Sequence, residues 1–436
     1  MGLLELFTES IDKEGEFSLE AFSMEHPRPL NICLLSYRSN PHCGGQGVYI
    51  KNLSRALKDL GHRVEVLAGP PDPCLDRDIP VIKVPCLDLY NPEDPFRIPS
   101  LKELTDPMNF MEWAGVSTTG FPEPFIFGLK AYVFLKNNRH RYDVIHDNQS
   151  LSYGLWAIHK FLPTLATIHH PITVDREIDI RQSRGFLDKF KWLRWYSFIA
   201  MQKQVSRSLD RIITVSECAK KDIATDFRIP LDRLCVVPNG INTTLFHPVP
   251  GVKREKNRFI VTNSADMPLK GLKYLLMAMA DLSKTRNAHL VVIGAPKKDS
   301  GIVKIIQNLG IGDRITFTGR ISDEEFILQY ARAYAAVIPS VYEGFGLPVG
   351  EAMACGVPVI STTGGALPEV AGDAGILVPP GDAKALARAM EKLMDDPGLA
   401  EKLGKAGYER VQAHFTWKKA AEKTVDVYRE VISDHR

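Results

Sequence analysis

Two glutamates eight residues apart, Glu343 and Glu351, flank a Gly344-Phe345-Gly346 turn in the run from Ser340 to Gly365. A short apolar segment, Ala335 to Ile338, precedes them, and Pro348 follows the glycines. That order reads as a buried strand, a glycine turn and a helix with proline in its first turn. Glu343 then falls on the loop and Glu351 on the first helical turn, both near the positive end of the helix dipole. Amides at such a place suit phosphate or sugar oxygens, and the two carboxylates can accept hydrogen bonds from hydroxyls. A ligand carrying both groups, such as a sugar nucleotide, fits this chemistry. Taken singly, Glu351 would only cap its helix and Glu343 would be a solvated loop acid.

Two further loops have the same strand-to-helix setting. Ser39 to Gly47 contains Gly44, Gly45 and Gly47, whose free amides at a helix start suit phosphate. A tight turn needing positive φ is the alternative, and the spacing is not that of a dinucleotide fingerprint. The second loop, Asn263 to Gly271, offers Lys270 beside a glycine, a setting that favours a ligand over a solvated surface charge.

The elements that must carry these loops are legible as short apolar runs. Asn31 to Ser36, Arg63 to Ala68, Asp143 to His146, Leu165 to His169 and Arg211 to Val215 read as buried strands separated by helical spacing. The pattern restarts at Arg258 to Thr262, His289 to Ile293, Arg314 to Thr318, Ala335 to Ile338, Val357 to Ser361 and Ile376 to Val378. Buried strands alternating with helices predict an α/β protein with mostly parallel sheets, here in two domains. Asn239-Gly240 and the prolines around it place the connection near 238–252. Residues 1–28 read as an extension, 73–125 as long proline-rich loops, and Phe415 to Ile432 as a final helix.

The charge of +2 is too small to direct the whole molecule to nucleic acid, so any electrostatic partner must be met by a local patch. Seven cysteines without a C-x-x-C pair read as reduced thiols of a cytosolic protein. There is no secretory signal pattern and no run of about 18 apolar residues. No H-E-x-x-H pattern that would argue for a metal site is present in the sequence.

The run from Ser340 to Glu369 resembles the E-x7-E signature of the family 4 retaining glycosyltransferases, and the likeness extends over nearly all of residues 30–435. The resemblance implies the GT-B fold, two Rossmann-like domains facing each other across a cleft. An acceptor-side domain would span 29–240 and a nucleotide-sugar domain 253–413, with residues 414–436 returning to the first. It implies that Glu343 contacts the donor sugar, that the turn Gly344, Phe345, Gly346 and Leu347 holds its hydroxyls, and that Glu351 binds the ribose. Gly45, Gln46 and Gly47 correspond to the family's loop near the diphosphate, and His169 in Ala166-Thr-Ile-His-His170 to its histidine, with His170 an adjacent alternative. Glu343, His169 and Lys270 are the implied catalytic set. Ala265 stands where the family usually has an arginine five residues before the lysine, so Ser264, Arg320 or helix amides must supply the missing contact. The donor is expected to be a UDP- or GDP-linked sugar rather than an ADP-linked one. Transfer is expected to be metal-independent, with retained anomeric configuration.

Residues 181–221 hold ten Lys or Arg against three Asp or Glu, and Gly185 to Phe198 interleaves aromatics with cations. That composition suits an interfacial helix, giving the expectation of membrane contact through 185–203, a lipid-linked or hydrophobic acceptor, and a place at the cytoplasmic face of the inner membrane. The alternative is that the aromatics pack into the first domain and the cations are solvated. Rival functions are a sugar-nucleotide epimerase of the same fold, a non-catalytic sugar-nucleotide-binding protein, and a nicotinamide oxidoreductase whose phosphate loop is missing.

Overall fold

Ile32 and Leu34 point to one face of the first strand and Cys33 and Leu35 to the other, and all four are buried. A strand apolar on both faces can only sit inside a sheet covered on both sides. The computed structural model describes residues 28–39, 45–91, 94, 97–183, 185–262, 267–296 and 300–435. The first seven strands are β1 (Asn31–Ser36), β2 (Arg63–Ala68), β3 (Val81–Lys83), β4 (Val144–Asn148), β5 (Thr164–Ile168), β6 (Ile212–Thr214) and β7 (Leu234–Val236). They form one parallel sheet in the order β3-β2-β1-β4-β5-β6-β7. Helices Gly45–Asp59 and Trp417–Asp434 pack on one face, and Glu123–Asn138 and Tyr153–Ile158 on the other.

A second parallel sheet contains β8 (Arg258–Thr262), β9 (His289–Ile293), β10 (Ile315–Phe317), β11 (Ala335–Ile338), β12 (Val359–Thr362) and β13 (Gly375–Val378), ordered β10-β9-β8-β11-β12-β13. Both sheets are Rossmann-like. In each, the order reverses beside the first strand, opening a crevice at the carboxyl ends of β1 and β4 and of β8 and β11.

Two features depart from the sequence reading. The stretch 73–125, read as loops, contains β3 and the helices Leu101–Leu104 and Pro107–Ser117. Asp106 accepts from Met108 N and Asn109 N, and Pro107 opens the second helix, so capping compensates for weak periodicity. β3 and β7 went unread because each is a three-residue edge strand. The last helix runs Trp417–Asp434 and starts at the Thr416 cap, with Thr416 Oγ1 accepting from Lys419 N at 3.3 Å. Its Tyr428 hydroxyl lies 2.7 Å from His146 Nδ1, beneath the first sheet's crevice.

Candidate active site

β8 and β11 are neighbours, so the loops leaving their carboxyl ends meet. Lys270 ends the short turn Pro268–Lys270, and Gly271 follows at φ 68°. A Cβ on Gly271 would lie 2.0 Å from the Pro339 carbonyl oxygen, and Val341 N donates to Leu269 O at 2.8 Å. With the two loops locked in this way, Lys270 Nζ donates to Glu343 Oε1 at 2.8 Å and Oε2 at 3.0 Å. Ser340 Oγ donates to the same Oε1 at 2.8 Å. From beneath, Ala366 N donates to Glu343 O at 2.9 Å, and Gly365 at φ 64° leaves no room for a side chain against that oxygen.

The chain then enters helix Leu347–Ala354 through Gly346, whose φ of 104° suits only glycine. Phe345 turns its ring inward against Phe415, with centroids 5.8 Å apart, so its backbone is what remains at the turn. Because the helix begins at Leu347, Glu351 opens the second turn and not the first, a correction to the sequence reading. Burial pushes its carboxyl up to about 7, against the attraction of Lys270. A cavity of about 320 Å³ opens here, lined by His170, Met267, Lys270, Tyr342, Glu343 and Gly344 among others. A larger one, about 590 Å³, lies at the amino ends of β1 and β2 beside Lys58 and His62, the wrong end of a parallel sheet for a ligand crevice.

From the first domain, Gly45, Gln46 and Gly47 form the opening turn of helix Gly45–Asp59 itself, in helical backbone. His169 follows β5, and its Nε2 lies 2.8 Å from Asn148 Oδ1. Burial lowers the imidazole to about 3, with His170 and His146 adding repulsion, so His169 is neutral at ordinary pH. Gly344 bridges the domains: its carbonyl accepts from Ser216 Oγ at 2.7 Å, and a Cβ there would lie 2.7 Å from the His169 carbonyl. Glu343, Lys270, Gly344 and the His169–His170 backbone are therefore brought together. Arg320 is not. It is exposed beyond the carboxyl end of β10, two strands from β8, and does not line the cavity. Gly44, Ser264 and Ala265 lie outside the described residues.

Sequence reasoning missed Asn148, Gln149, Ser216 and Tyr342. The signal for the first pair was present, since Asp147-Asn148-Gln149-Ser150 is a polar run where the Val144-Ile145 strand ends. All four of its residues are buried. Helix Phe186–Trp195 divides its side chains. Phe186, Leu187, Phe190 and Leu193 are exposed, whereas Trp195 packs with Tyr90 and Phe121.

Two facing Rossmann-like sheets with a lysine–glutamate pair at the crevice of the second define a GT-B protein. Family profiles agree: the one described as Glycosyltransferase Family 4 matches residues 43–245, and the one described as Glycosyl transferases group 1 matches 246–410. The chain is 44% identical over 409 residues to the MMP alpha-(1->4)-mannosyltransferase of Mycolicibacterium hassiacum, covering 93% of this chain and 99% of that one. It is 26% identical over 430 residues to a D-inositol 3-phosphate glycosyltransferase of Corynebacterium diphtheriae, covering 92% and 94% respectively. Among solved structures, sucrose-phosphate synthase from Thermosynechococcus elongatus superposes with a TM-score of 0.70 at 25% identity, covering 93% of this chain and all of that one. The protein belongs to glycosyltransferase family 4 and is a glycosyltransferase, which sets aside the epimerase and oxidoreductase alternatives.

Proposed function

We propose that the protein transfers a hexosyl group, mannosyl by analogy with its 44% identical relative, from a uridine or guanosine diphosphate sugar to a hydroxyl acceptor, with retention and without a metal. The observation that carries this reading is the Lys270–Glu343 pair, 2.8 Å apart at the crevice where Gly344 meets the first domain. The C1–O bond to the diphosphate breaks while the acceptor oxygen bonds to C1 on the same face. The acceptor proton passes to the departing phosphate oxygen. Lys270, with the amides that open helix Gly45–Asp59, meets the charge growing on the diphosphate. Glu343 and the Gly344–Leu347 backbone hold sugar hydroxyls, and Glu351 accepts from the ribose. Glu343→Ala and Lys270→Ala are each expected to lower turnover at least ~10-fold while the protein stays folded. Undiminished turnover in both variants would refute the assignment. Thermal shifts with uridine, guanosine and adenosine diphosphate sugars identify the base, because a ligand of the folded form raises Tm. Activity is expected to survive exhaustive chelation.

The acceptor side of the proposal includes a membrane. Phe186, Leu187, Phe190 and Leu193 are exposed on one helix that also bears Lys189, Lys191 and Arg194, which suits a headgroup boundary and favours a lipid-linked or hydrophobic acceptor. No helix among the described residues is long and apolar enough to cross a bilayer. Sedimentation with anionic vesicles at low salt is expected to enrich the protein. No enrichment, with full activity on a soluble acceptor, would remove this part of the reading.

A further inference from the structure

β4 ends on Asn148 and is followed by Gln149, two amide side chains that reach the other parts of the donor site. Asn148 is buried, with its Nδ2 donating to Gln46 O at 3.2 Å and its Oδ1 lying 2.8 Å from His169 Nε2. Gln46 belongs to the glycine turn, so a single side chain ties that turn to the histidine. Gln149, at φ 60°, accepts from His169 N at 2.9 Å through Oε1 and donates to His170 O at 3.2 Å through Nε2. Gln202 Nε2 in turn donates to Gln149 O at 3.0 Å. Left-handed backbone at a residue that is not glycine persists only where its surroundings compel it, and here the two histidine peptides do so.

The orientation of the Asn148 amide has a chemical consequence. A carbonyl only accepts, so the group facing Gln46 O must be the NH₂, and the group facing His169 must be the amide oxygen. That oxygen also only accepts, so Nε2 of His169 must carry the proton. In a neutral imidazole the remaining nitrogen, Nδ1, is then an acceptor. We propose that Asn148 is a positioning residue of the transfer reaction, holding His169 as the Nε2–H tautomer so that Nδ1 accepts a hydroxyl of the donor sugar. The inference rests on the reading of His169 as part of the donor site. Among the described residues, the other titratable groups around the ring are Tyr49, 4.7 Å away on helix Gly45–Asp59, His146 on β4, and His170. Gly344, opposite, presents backbone alone to the His169 carbonyl.

The tautomer can be read without turnover. Long-range proton–nitrogen correlation on histidine-labelled wild-type protein, assigned with His169→Gln, is expected to show protonated Nε2 and bare Nδ1 from about pH 6 to about pH 8. An Nδ1–H or imidazolium pattern overturns the proposal. Asn148→Asp supplies the kinetic test, since it keeps the acceptor, loses the donor to Gln46, and places a charge that raises His169 ionisation. Protonation then removes the Nδ1 acceptor. The kcat/KM of Asn148→Asp is expected to be depressed at least ~10-fold at about pH 6.5 and to recover with one ionisation as pH rises. Wild type should lack that ionisation, and Asn148→Ser should show a flat loss. Superimposable profiles for wild type and a folded Asn148→Asp protein refute the role. If Asn148→Asp does not fold, the wild-type spectrum decides. Failure of the donor-site reading is separately visible as undiminished turnover in Glu343→Ala.

Discussion

Glu351 shows how the fold changes what a residue type can do. A glutamate in an unfolded chain ionises near 4.5, whereas burial raises this one to about 7. The native state therefore binds its proton more tightly than the unfolded state does. The associated stability is fully present below about 4.5 and is lost as pH rises through about 7. Glu351→Gln, which mimics the protonated form, is expected to match wild type in urea melts near pH 4.5 and to be the more stable protein near pH 8. Equal midpoints at both values would show that the carboxyl does not sense the interior. His169 is displaced the other way, to about 3, because burial penalises a cation as it does an anion. Neither shift follows from composition. Both follow from which side chains the strand ends bury.

Two glycine positions separate the requirements of folding from those of the ligand. At Gly271 the backbone is left-handed and any side chain would strike the Pro339 carbonyl, so Gly271→Ala is expected to cost at least ~1–3 kcal/mol. Tm and turnover should fall together, because Lys270 is the preceding residue. Gly45 is different: it is helical, exposed, and has open space where a Cβ would go. Gly45→Ala is therefore expected to leave Tm unchanged or slightly raised while weakening nucleoside diphosphate binding in a titration. A variant that binds as wild type does would mean that this turn is not approached closely by the ligand. Most strands were legible from apolar runs to within two residues, since a buried parallel strand is apolar along most of its length. The helices within 73–125 were not, because caps at Asp106 and Ser100 carry them in place of periodicity.

At the scale of the molecule, one helix of the first domain receives the second. Glu369 accepts from Glu217 N at 2.8 Å and Cys218 N at 2.7 Å, capping helix Glu217–Phe227 from across the cleft. Tyr342 OH donates to Asp222 at 2.6 Å, one residue from Glu343. The meeting of the two domains and the placing of the Glu343 loop thus share the same few contacts. A charged group at a helix start contributes about 0.5–2 kcal/mol. Glu369→Ala is accordingly expected to reduce turnover several-fold with little change in Tm, and to increase the radius of gyration in solution scattering. A large fall in Tm with unchanged scattering would assign Glu369 to folding instead. The chain passes between the domains at two adjacent places, where Ile241 N donates to Phe415 O at 2.7 Å and Gly240 lies against Trp417.

Local constraints made much of this readable from the sequence. Short apolar runs bounded by turn residues became buried strands, glycines such as Gly271 and Gly346 marked loop turns, and Glu343, Glu351 and Lys270 stood out because of their spacing around such turns. The tertiary structure alone decided which of them meet. Lys270 and Glu343 are 73 residues apart and become an ion pair because β8 and β11 are neighbours in the sheet. Asn148 and His169 pair for the same reason across β4 and β5, and Arg320 is left outside because β10 is an edge strand. Strand order is set by how the two buried faces pack over the whole domain, and no stretch of sequence contains that information on its own.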